Sequence, residues 1–449
     1  MMLRLHSTGG AAAGGGQQQQ QSRLPSPSRH RALAPAAPRA LAAAGNANAA
    51  AAPPRPRPTP QPRGPPPTRN RADRADGVAE HAQPVGRAQV EAAEARKLAD
   101  AEAAAGPEKA KALKLAVFSA QNYVVDHFGP PLTSHFPQTK FIDARLDADT
   151  AALAEGCGAV CIFVNDDASA PVIATLARCG VRMIALRCAG YDRVDLAACA
   201  AHGIAVARVP TYSPTSVAEM AVALAFALNR NLHLIPARVA QGNYALSGLV
   251  GFEMCSQTVA VLGTGAIGAE ACRIFRGIGM RVLAYDVRPN PAVEAMGVEY
   301  CSVDEMLPQA DVVSLHLPLL PSTTNFFDAA MVAKLKPNAL LINVSRGGLV
   351  DTDALLAGLE SGQIGGLGLD VYANEGALFF TDWSSMDAAR RMKSWDRRFK
   401  TLISYPQVFV TPHSAFLTHE ALRSIGRTTA INLLEFVAGK EVLTNAVKA

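Results

Sequence analysis

Several things are scarce or missing in this chain, and each absence narrows the reading. Aromatic residues make up only 6% of 449 residues, and the eight cysteines (157, 161, 179, 188, 199, 255, 272, 301) never fall in a Cys-x-x-Cys pair. Scattered cysteines in that pattern read as reduced core thiols, not as disulfides or zinc ligands, so no metal site is expected. Long apolar runs are also missing: the longest, Val217–Leu228, is broken by Glu219 and is too short to cross a bilayer. A lipidation start and a secretory apolar segment are absent too, which leaves no reason to expect a membrane.

Acidic residues are missing from the start of the chain. The first is Asp73, and ten arginines precede it. Residues 1–112 carry 16 basic and 8 acidic residues, and the rest of the chain 27 and 30, so the formal +5 belongs to the N-terminal segment. The remaining body offers no basic face for nucleic acid. The first 112 residues are rich in Ala, Pro, Gly and Gln and hold too few large apolar groups for a core, so a disordered extension and linker is expected over 1–112. An arginine-rich, acid-free start fits an organellar transit peptide, with a chloroplast favoured over a mitochondrion; without that role the protein would be cytoplasmic and the segment a functionless tail. Within it, residues 91–112 have the composition of a charged, Ala-rich helix broken at Gly106-Pro107.

From Lys114 onward short apolar runs alternate with helical patterns, which predicts α/β architecture on mainly parallel sheets. The predicted strands cover 115–118, 159–164, 183–186 and 204–209. After a break at Tyr212-Ser213-Pro214, Thr215 or Ser216 should cap a long helix to about Arg230, with Glu219 completing a capping box on Ser216. A second series follows at 258–262, 282–285, 312–315, 339–343, 366–369 and 408–410.

The second series opens on Gly263-Thr264-Gly265-Ala266-Ile267-Gly268, directly after an apolar strand and at the head of a helix. Asp286 ends the next strand, 18 residues past Gly268. A bare Gly-x-Gly-x-x-Gly is weak, but in this context it predicts dinucleotide binding: Gly263 for the tight turn, Gly265 for close approach of the pyrophosphate, and Gly268 for helix–strand packing. Asp286 should accept the adenosine ribose hydroxyls and repel a 2′-phosphate, so NAD is preferred. Arg288 leaves some NADPH use open.

Arg346 follows the strand Ala339–Ile342, where sheet ends face a ligand crevice. Its guanidinium can grip the carboxylate of a 2-keto acid as a lysine cannot. His413, after Thr411-Pro412, suits proton delivery near neutral pH; Glu375 can hold its far nitrogen, and Asp370 would add to the same field.

With these residues in place, the chain resembles the D-isomer-specific 2-hydroxyacid dehydrogenases, and within them the D-lactate dehydrogenase branch. The likeness runs from about Leu113 to Glu441. It is carried by Val164-Asn165-Asp166-Asp167, Leu186–Asp192, Val209–Pro214, the glycine loop, His316-Leu317-Pro318, Asn343–Gly347, Asp370-Val371-Tyr372, Asn374-Glu375 and His413–Thr418. The resemblance implies two Rossmann-like doubly wound parallel-sheet domains that close over the substrate. One is a discontinuous substrate domain (113–213 plus 412–449), and the other an NAD-binding domain (214–411). It implies that Arg346 binds substrate and that His413 is the acid/base paired with Glu375. It also implies that Ala189, Gly190 and Tyr212 hold the keto acid and that Phe416 walls the pocket. The amides of Ala266 and Ile267 would meet the pyrophosphate, and His316, Leu317, Pro318, Val344, Ser345 and Asp370 would line the cofactor site. The implied reaction is NADH-dependent reduction of pyruvate to D-lactate by a homo-dimer or tetramer. The alternatives are a hydroxypyruvate, glyoxylate or phenylpyruvate reductase, or an NADH-sensing corepressor on the same fold. A phosphoglycerate enzyme often carries a C-terminal regulatory domain, whereas this sequence stops at Ala449 soon after the expected closing helix. Residues 376–406, with Leu378-Phe379-Phe380, look like the insertion of the D-lactate branch, expected to cover the active site, to make a subunit contact or to be disordered. Residues 1–112 have no counterpart in the compact bacterial-type enzymes, which favours the targeting reading.

Overall fold

The computed structural model describes residues 87–393 and 396–448. Residues 1–86, most of the segment expected to be a transit peptide and linker, lie outside them. Five short strands build the first sheet: β1 (Leu115–Val117), β2 (Thr139–Phe141), β3 (Ala159–Ile162), β4 (Met183–Leu186) and β5 (Ala205–Ala207). They lie in the order β2-β1-β3-β4-β5, all parallel. Seven more form the second: β6 (Thr258–Leu262), β7 (Arg281–Tyr285), β8 (Glu299–Tyr300), β9 (Val312–Leu315), β10 (Ala339–Asn343), β11 (Ile364–Leu369) and β12 (Val408–Val410). Their order is β12-β11-β10-β9-β6-β7-β8, again all parallel. Helices on both faces bury the strands, so central strands such as Met183–Leu186 and Ala339–Asn343 are solvent-free along their whole length and apolar without alternation. β2 and β8 escape the sequence reading because each is an edge strand of three residues or fewer, partly exposed and without an apolar run.

The helix Pro214–Asn229 runs under the second sheet, contributing Val217, Ala221, Leu224 and Leu228 to its core. It starts earlier than expected. Ser213 caps it, its Oγ accepting from the Ser216 amide at 3.3 Å, with Pro214 in the first turn. The expected box on Ser216 does not form, because that hydroxyl is used in tertiary contact, 2.8 Å from Thr418 Oγ1. The C-terminal helix His419–Val437 then returns to the first sheet, its Leu422, Ile425 and Leu433 joining the core of β1 and β3.

The disorder expected over 1–112 does not hold for residues 87–112. Residues 87–112 form the helices Arg87–Ala105 and Pro107–Ala112, broken at Gly106 (φ 76°) as the composition predicts. The first packs against the C-terminal helix through Leu98, Ala101 and Ala105, and Glu94 accepts from Ser424 Oγ at 2.7 Å. One ion pair, Arg427 to Glu94 at 3.5 Å, and mostly small side chains complete that contact. Of the thiols, Cys157, Cys161, Cys188, Cys199 and Cys272 are buried, Cys179 and Cys301 half-buried, and Cys255 exposed; all eight are free. No described helix is long and apolar enough to cross a membrane.

Candidate active site

Most segments that reach the cleft leave the carboxyl end of a strand, where parallel sheets place their ligands. The cavity there measures about 450 Å³. From the first sheet it takes Phe163 and Val164 after β3, Arg187–Asp192 after β4 and Arg208–Pro214 after β5. From the second it takes the glycine loop, His316–Leu320, Val344–Arg346, Asp370 and the turn at His413.

The glycine loop divides its work between folding and binding. Gly263 has φ 94°, and a Cβ there would lie 2.6 Å from the His316 carbonyl oxygen. At Gly268 a Cβ would sit 1.8 Å from the Gly263 carbonyl oxygen, so only glycine lets the helix close on the strand. Gly265 is different: nothing lies within 4 Å of its missing side chain. It faces open cleft and heads the helix Ala266–Ile278, whose first turn has no side-chain cap. Uncapped amides at a helix N-terminus, with space in front of them, fit a pyrophosphate.

Asp286 stands at the end of β7 and braces that loop as well as facing the cofactor side. Its Oδ2 accepts from the Thr264 amide at 2.6 Å and Oδ1 from the Arg288 amide at 3.1 Å. Burial pushes this carboxyl up, but the amide and hydroxyl donors of Thr264, Arg288 and Val287 outweigh it and hold it below its ordinary value. The Arg288 side chain is exposed. His316 lines the cleft half-buried, and the desolvation of its ring drops its pKa to about 4, so the ring is neutral. Its Nε2 lies 2.8 Å from Ser314 Oγ, while Nδ1 is buried without a partner. A buried nitrogen left open beside the glycine loop is the second sign that a polar ligand completes this site.

Arg346 is held out over the cleft by its own strand end. The Asn343 amide spans the turn, donating to the Arg346 carbonyl at 2.9 Å and accepting from the Ser345 amide at 3.1 Å. Ser345 Oγ donates to the Leu315 carbonyl at 2.9 Å, tying this turn to the next strand. The guanidinium donates to the Ser345 carbonyl at 2.8 Å and otherwise looks across the cleft toward Asp192.

His413 Nδ1 lies 2.8 Å from Glu375 Oε1, and Glu375 Oε2 accepts from the Tyr372 amide at 3.1 Å. Burial raises the Glu375 carboxyl, but the His413 hydrogen bond and charge, the Tyr372 amide and the Arg346 charge prevail and leave it below its ordinary value. His413 itself takes φ 54°, a left-handed conformation that costs a side-chain-bearing residue about 1–2 kcal/mol. Asp370 holds it there. Fully buried, Asp370 accepts from Thr411 Oγ1 at 2.5 Å, the Ser414 amide at 2.8 Å and the Ala415 amide at 3.0 Å, while its own carbonyl takes the His413 amide at 2.8 Å. Burial sets the net direction of its pKa, upward, against those donors and the His413 charge. The field expected from Asp370 is therefore accompanied by a mechanical role: it ties the turn.

Ala189, Gly190, Tyr212, Phe416, Ala266, Ile267, Leu317, Pro318, Val344 and Ser345 all line the cleft. Gly263, Gly268, Asp286 and Glu375 stand outside its lining and support residues that form it. Burial raises the Tyr212 phenol to about 12, so it is neutral. Phe163, Arg187, Asp192 and Arg208 also line the cleft and were not singled out by the sequence. Arg187 is buried and lies 4.1 Å from the Phe163 ring centroid, and Phe163 meets Phe416 at 5.5 Å. Nothing local marks Phe163 or Arg208; Arg187 and Asp192 sit within the Leu186–Asp192 motif but without a role that spacing could reveal. The insertion is ordered where described: Phe379 and Phe399 pack with Tyr372, and Phe380 (φ 63°) lies 5.3 Å from Phe163 and 6.0 Å from the His413 ring. Among the described residues no cluster of side chains could hold a metal ion.

A dinucleotide loop, an arginine and a histidine–carboxylate pair at the strand ends of the second sheet, facing the first sheet across a cleft, make an NAD-dependent dehydrogenase. Residues 222–415 match the family model for the NAD-binding domain of D-isomer-specific 2-hydroxyacid dehydrogenases. The chain is 42% identical over 328 residues to a D-lactate dehydrogenase of Escherichia coli, covering 73% of this chain and 98% of that protein. It is 41% identical over 328 residues to a 2-hydroxyacid dehydrogenase homologue of Haemophilus influenzae, covering 73% and 97%. Among solved structures, the pyruvate reductase of Chlamydomonas reinhardtii superposes with a TM-score of 0.73 at 56% identity, over 75% of this chain and 99% of that one. This chain belongs to the D-isomer-specific 2-hydroxyacid dehydrogenase family, and its cofactor is NAD.

Proposed function

We propose that the protein is a D-lactate dehydrogenase that reduces pyruvate to D-lactate. One observation carries this reading: His413, backed by Glu375, and Arg346 share a cleft that Tyr212, Phe163 and Phe416 also line. Aromatic rings there suit a methyl group and crowd a longer or charged substituent. Bound NADH supplies the hydride. Arg346, with the Ala189 and Gly190 amides, fixes the keto acid's carboxylate and steadies the charge that develops on its keto oxygen. His413, oriented by Glu375 through Nδ1, delivers a proton from Nε2 to that oxygen. Similarity to the named pyruvate reductase and D-lactate dehydrogenase supports the same substrate.

The test is steady-state NADH oxidation by the full-length protein with pyruvate, hydroxypyruvate, glyoxylate and phenylpyruvate, repeated with His413→Ala. Pyruvate should be preferred and D-lactate formed, and the variant should lose roughly 10²–10⁴ in rate. Preference for another keto acid would make it a different reductase of the family. NADH binding without turnover of any keto acid would favour a sensor. The arginine-rich, acid-free start further supports delivery to a chloroplast, which imaging of a fluorescent fusion of residues 1–112 would test. Association of copies into a dimer or tetramer, the family habit, is read by sedimentation.

A further inference from the structure

We propose that Asp192 is a specificity-determining residue, a tethered carboxylate that stands in for the substrate's own carboxylate in the open cleft and is displaced when the keto acid enters. This rests on the reading of Arg346 as the substrate-binding arginine.

Asp192 follows Gly190 by two residues on the loop after β4 and lines the same cavity. Its Oδ2 lies 4.0 Å from Arg346 Nε, with side-chain exposures of 61% for the aspartate and 31% for the arginine. Gly190 locates the overlap. A Cβ built on it would stand 2.7 Å from Arg346 Nη2 and 3.3 Å from Asp192 Oδ2. The Gly190 backbone, the guanidinium and a free carboxylate oxygen therefore converge on one spot, the place where Arg346 and the Gly190 amide would receive a carboxylate.

The remaining contacts explain why the hold is loose. Arg346 gives one bond to the Ser345 carbonyl and has most of its five donors left over. A guanidinium binds a carboxylate best through two parallel hydrogen bonds, and 4.0 Å is too long for either. An exposed pair at that distance contributes little stability. The other charges around the cleft are engaged elsewhere: Arg208 donates to the Ala189 carbonyl at 2.9 Å and lies over the Tyr191 ring, Arg187 donates to the Ser119 carbonyl at 2.8 Å, and Asp370 is spent on the His413 turn. Asp192 is thus the group placed to oppose an incoming anion. Such a group keeps the guanidinium facing the cleft while weakening anions that offer charge alone. A 2-keto acid brings a bidentate carboxylate plus a keto oxygen and overcomes it.

The measurement uses the full-length protein and oxamate, an isostere of pyruvate that accepts no hydride. Its dissociation constant in the presence of NADH is compared between wild type, Asp192→Asn and Asp192→Glu, together with KM and kcat for pyruvate. Removing one exposed negative charge at this distance should lower the oxamate Kd and the pyruvate KM about fivefold. kcat should move much less, and Asp192→Glu should return KM and Kd toward wild type. If Asp192→Asn binds oxamate no more tightly than wild type, the proposal is overturned while the function stands. If neither protein binds oxamate, both readings fall together.

Discussion

Asp370→Asn would separate the mechanical part of the site from its chemistry. The carboxylate accepts three hydrogen bonds, from Thr411 Oγ1, the Ser414 amide and the Ala415 amide. Asparagine has the same shape, but one of its two ends becomes a donor and must face at least one of those donors. Losing a charge-assisted bond and leaving a buried amide unpaired costs about 2–4 kcal/mol, a fall in Tm of roughly 5–15 °C for a domain of this size. The larger effect falls on catalysis. His413 is kept at φ 54° against its preference, so a slackened turn lets it relax and carries the imidazole away from substrate. A displacement of ~1 Å at a reacting group costs on the order of 10² in rate, and kcat for keto-acid reduction should fall by about that factor. Thr411→Val is the control. It removes one hydroxyl donor but leaves both amides on the carboxylate, so stability should drop while kcat largely survives. The assay is NADH absorbance at saturating keto acid, paired with a thermal melt and with NADH binding to show that the fold persists. A variant that melts early yet keeps wild-type kcat would refute the tether.

The second and third glycines of the loop should respond in opposite ways. Gly265→Ala adds a methyl to open space, so Tm should hold and NADH affinity should fall about tenfold or more as the pyrophosphate is pushed off; Gly268→Ala must displace the Gly263 carbonyl and should lower Tm steeply, which thermal shift with and without NADH would show. Glu375 has a folded-state pKa below its ordinary value, so its contribution to stability is present above about pH 4.3 and is lost as pH falls through the depressed folded value. Glu375→Gln should therefore flatten the acid limb of Tm against pH, besides lowering kcat at neutral pH; an unchanged acid limb would mean that the His413 partnership adds nothing to stability. A double-mutant cycle on Ser216→Ala and Thr418→Val should show a coupling of about 0.5–1.5 kcal/mol, once the cap that Thr418 gives the C-terminal helix is subtracted, and an additive cycle would remove the link.

Features set by residues near one another in sequence were legible. The strand, glycine loop, helix and Asp286 occupy one βαβ unit, so their spacing alone carries the chemistry. Arg346 could be placed because it follows an apolar strand that parallel-sheet geometry points at the cleft. Features created by folding were not legible. Asp370 reads as an aspartate at a strand end, but its partners come 41 to 45 residues later. Ser216 matched a capping pattern, yet its hydroxyl was claimed by Thr418, 202 residues away. The composition of residues 91–112 marked a charged, Ala-rich helix, but the scarcity of large apolar groups gave no reason for it to join the folded body. What ordered it was a surface on the far end of the chain, Ser424 and Arg427 facing Glu94, that no local window could contain.

The positions of these long-range ties explain how two sheets can share one reaction. The chain passes between the sheets twice, at Ser213-Pro214 and again between Val410 and Thr418. His413 lies in the second crossing, so the acid/base sits at a hinge and not on either rigid sheet. Such a position would be too loose for proton transfer if the crossing were free. It is anchored on both sides: Asp370 at the end of β11 fixes the turn from the second sheet, and the Ser213–Ser216–Thr418 hydroxyl chain binds the two crossings to each other at 2.8 Å per step. Arg346 belongs wholly to the second sheet, whereas Ala189, Gly190 and Phe163 belong to the first. Any movement that brings the sheets together therefore shortens the distance between the carboxylate-gripping groups, while the His413–Glu375 pair keeps its 2.8 Å contact because Glu375 follows β11 on the same side as the tether. The left-handed turn is the means of doing this. It projects the imidazole from a hinge into the cleft, and the buried carboxylate that stabilises it keeps the proton donor in register with the cofactor's sheet.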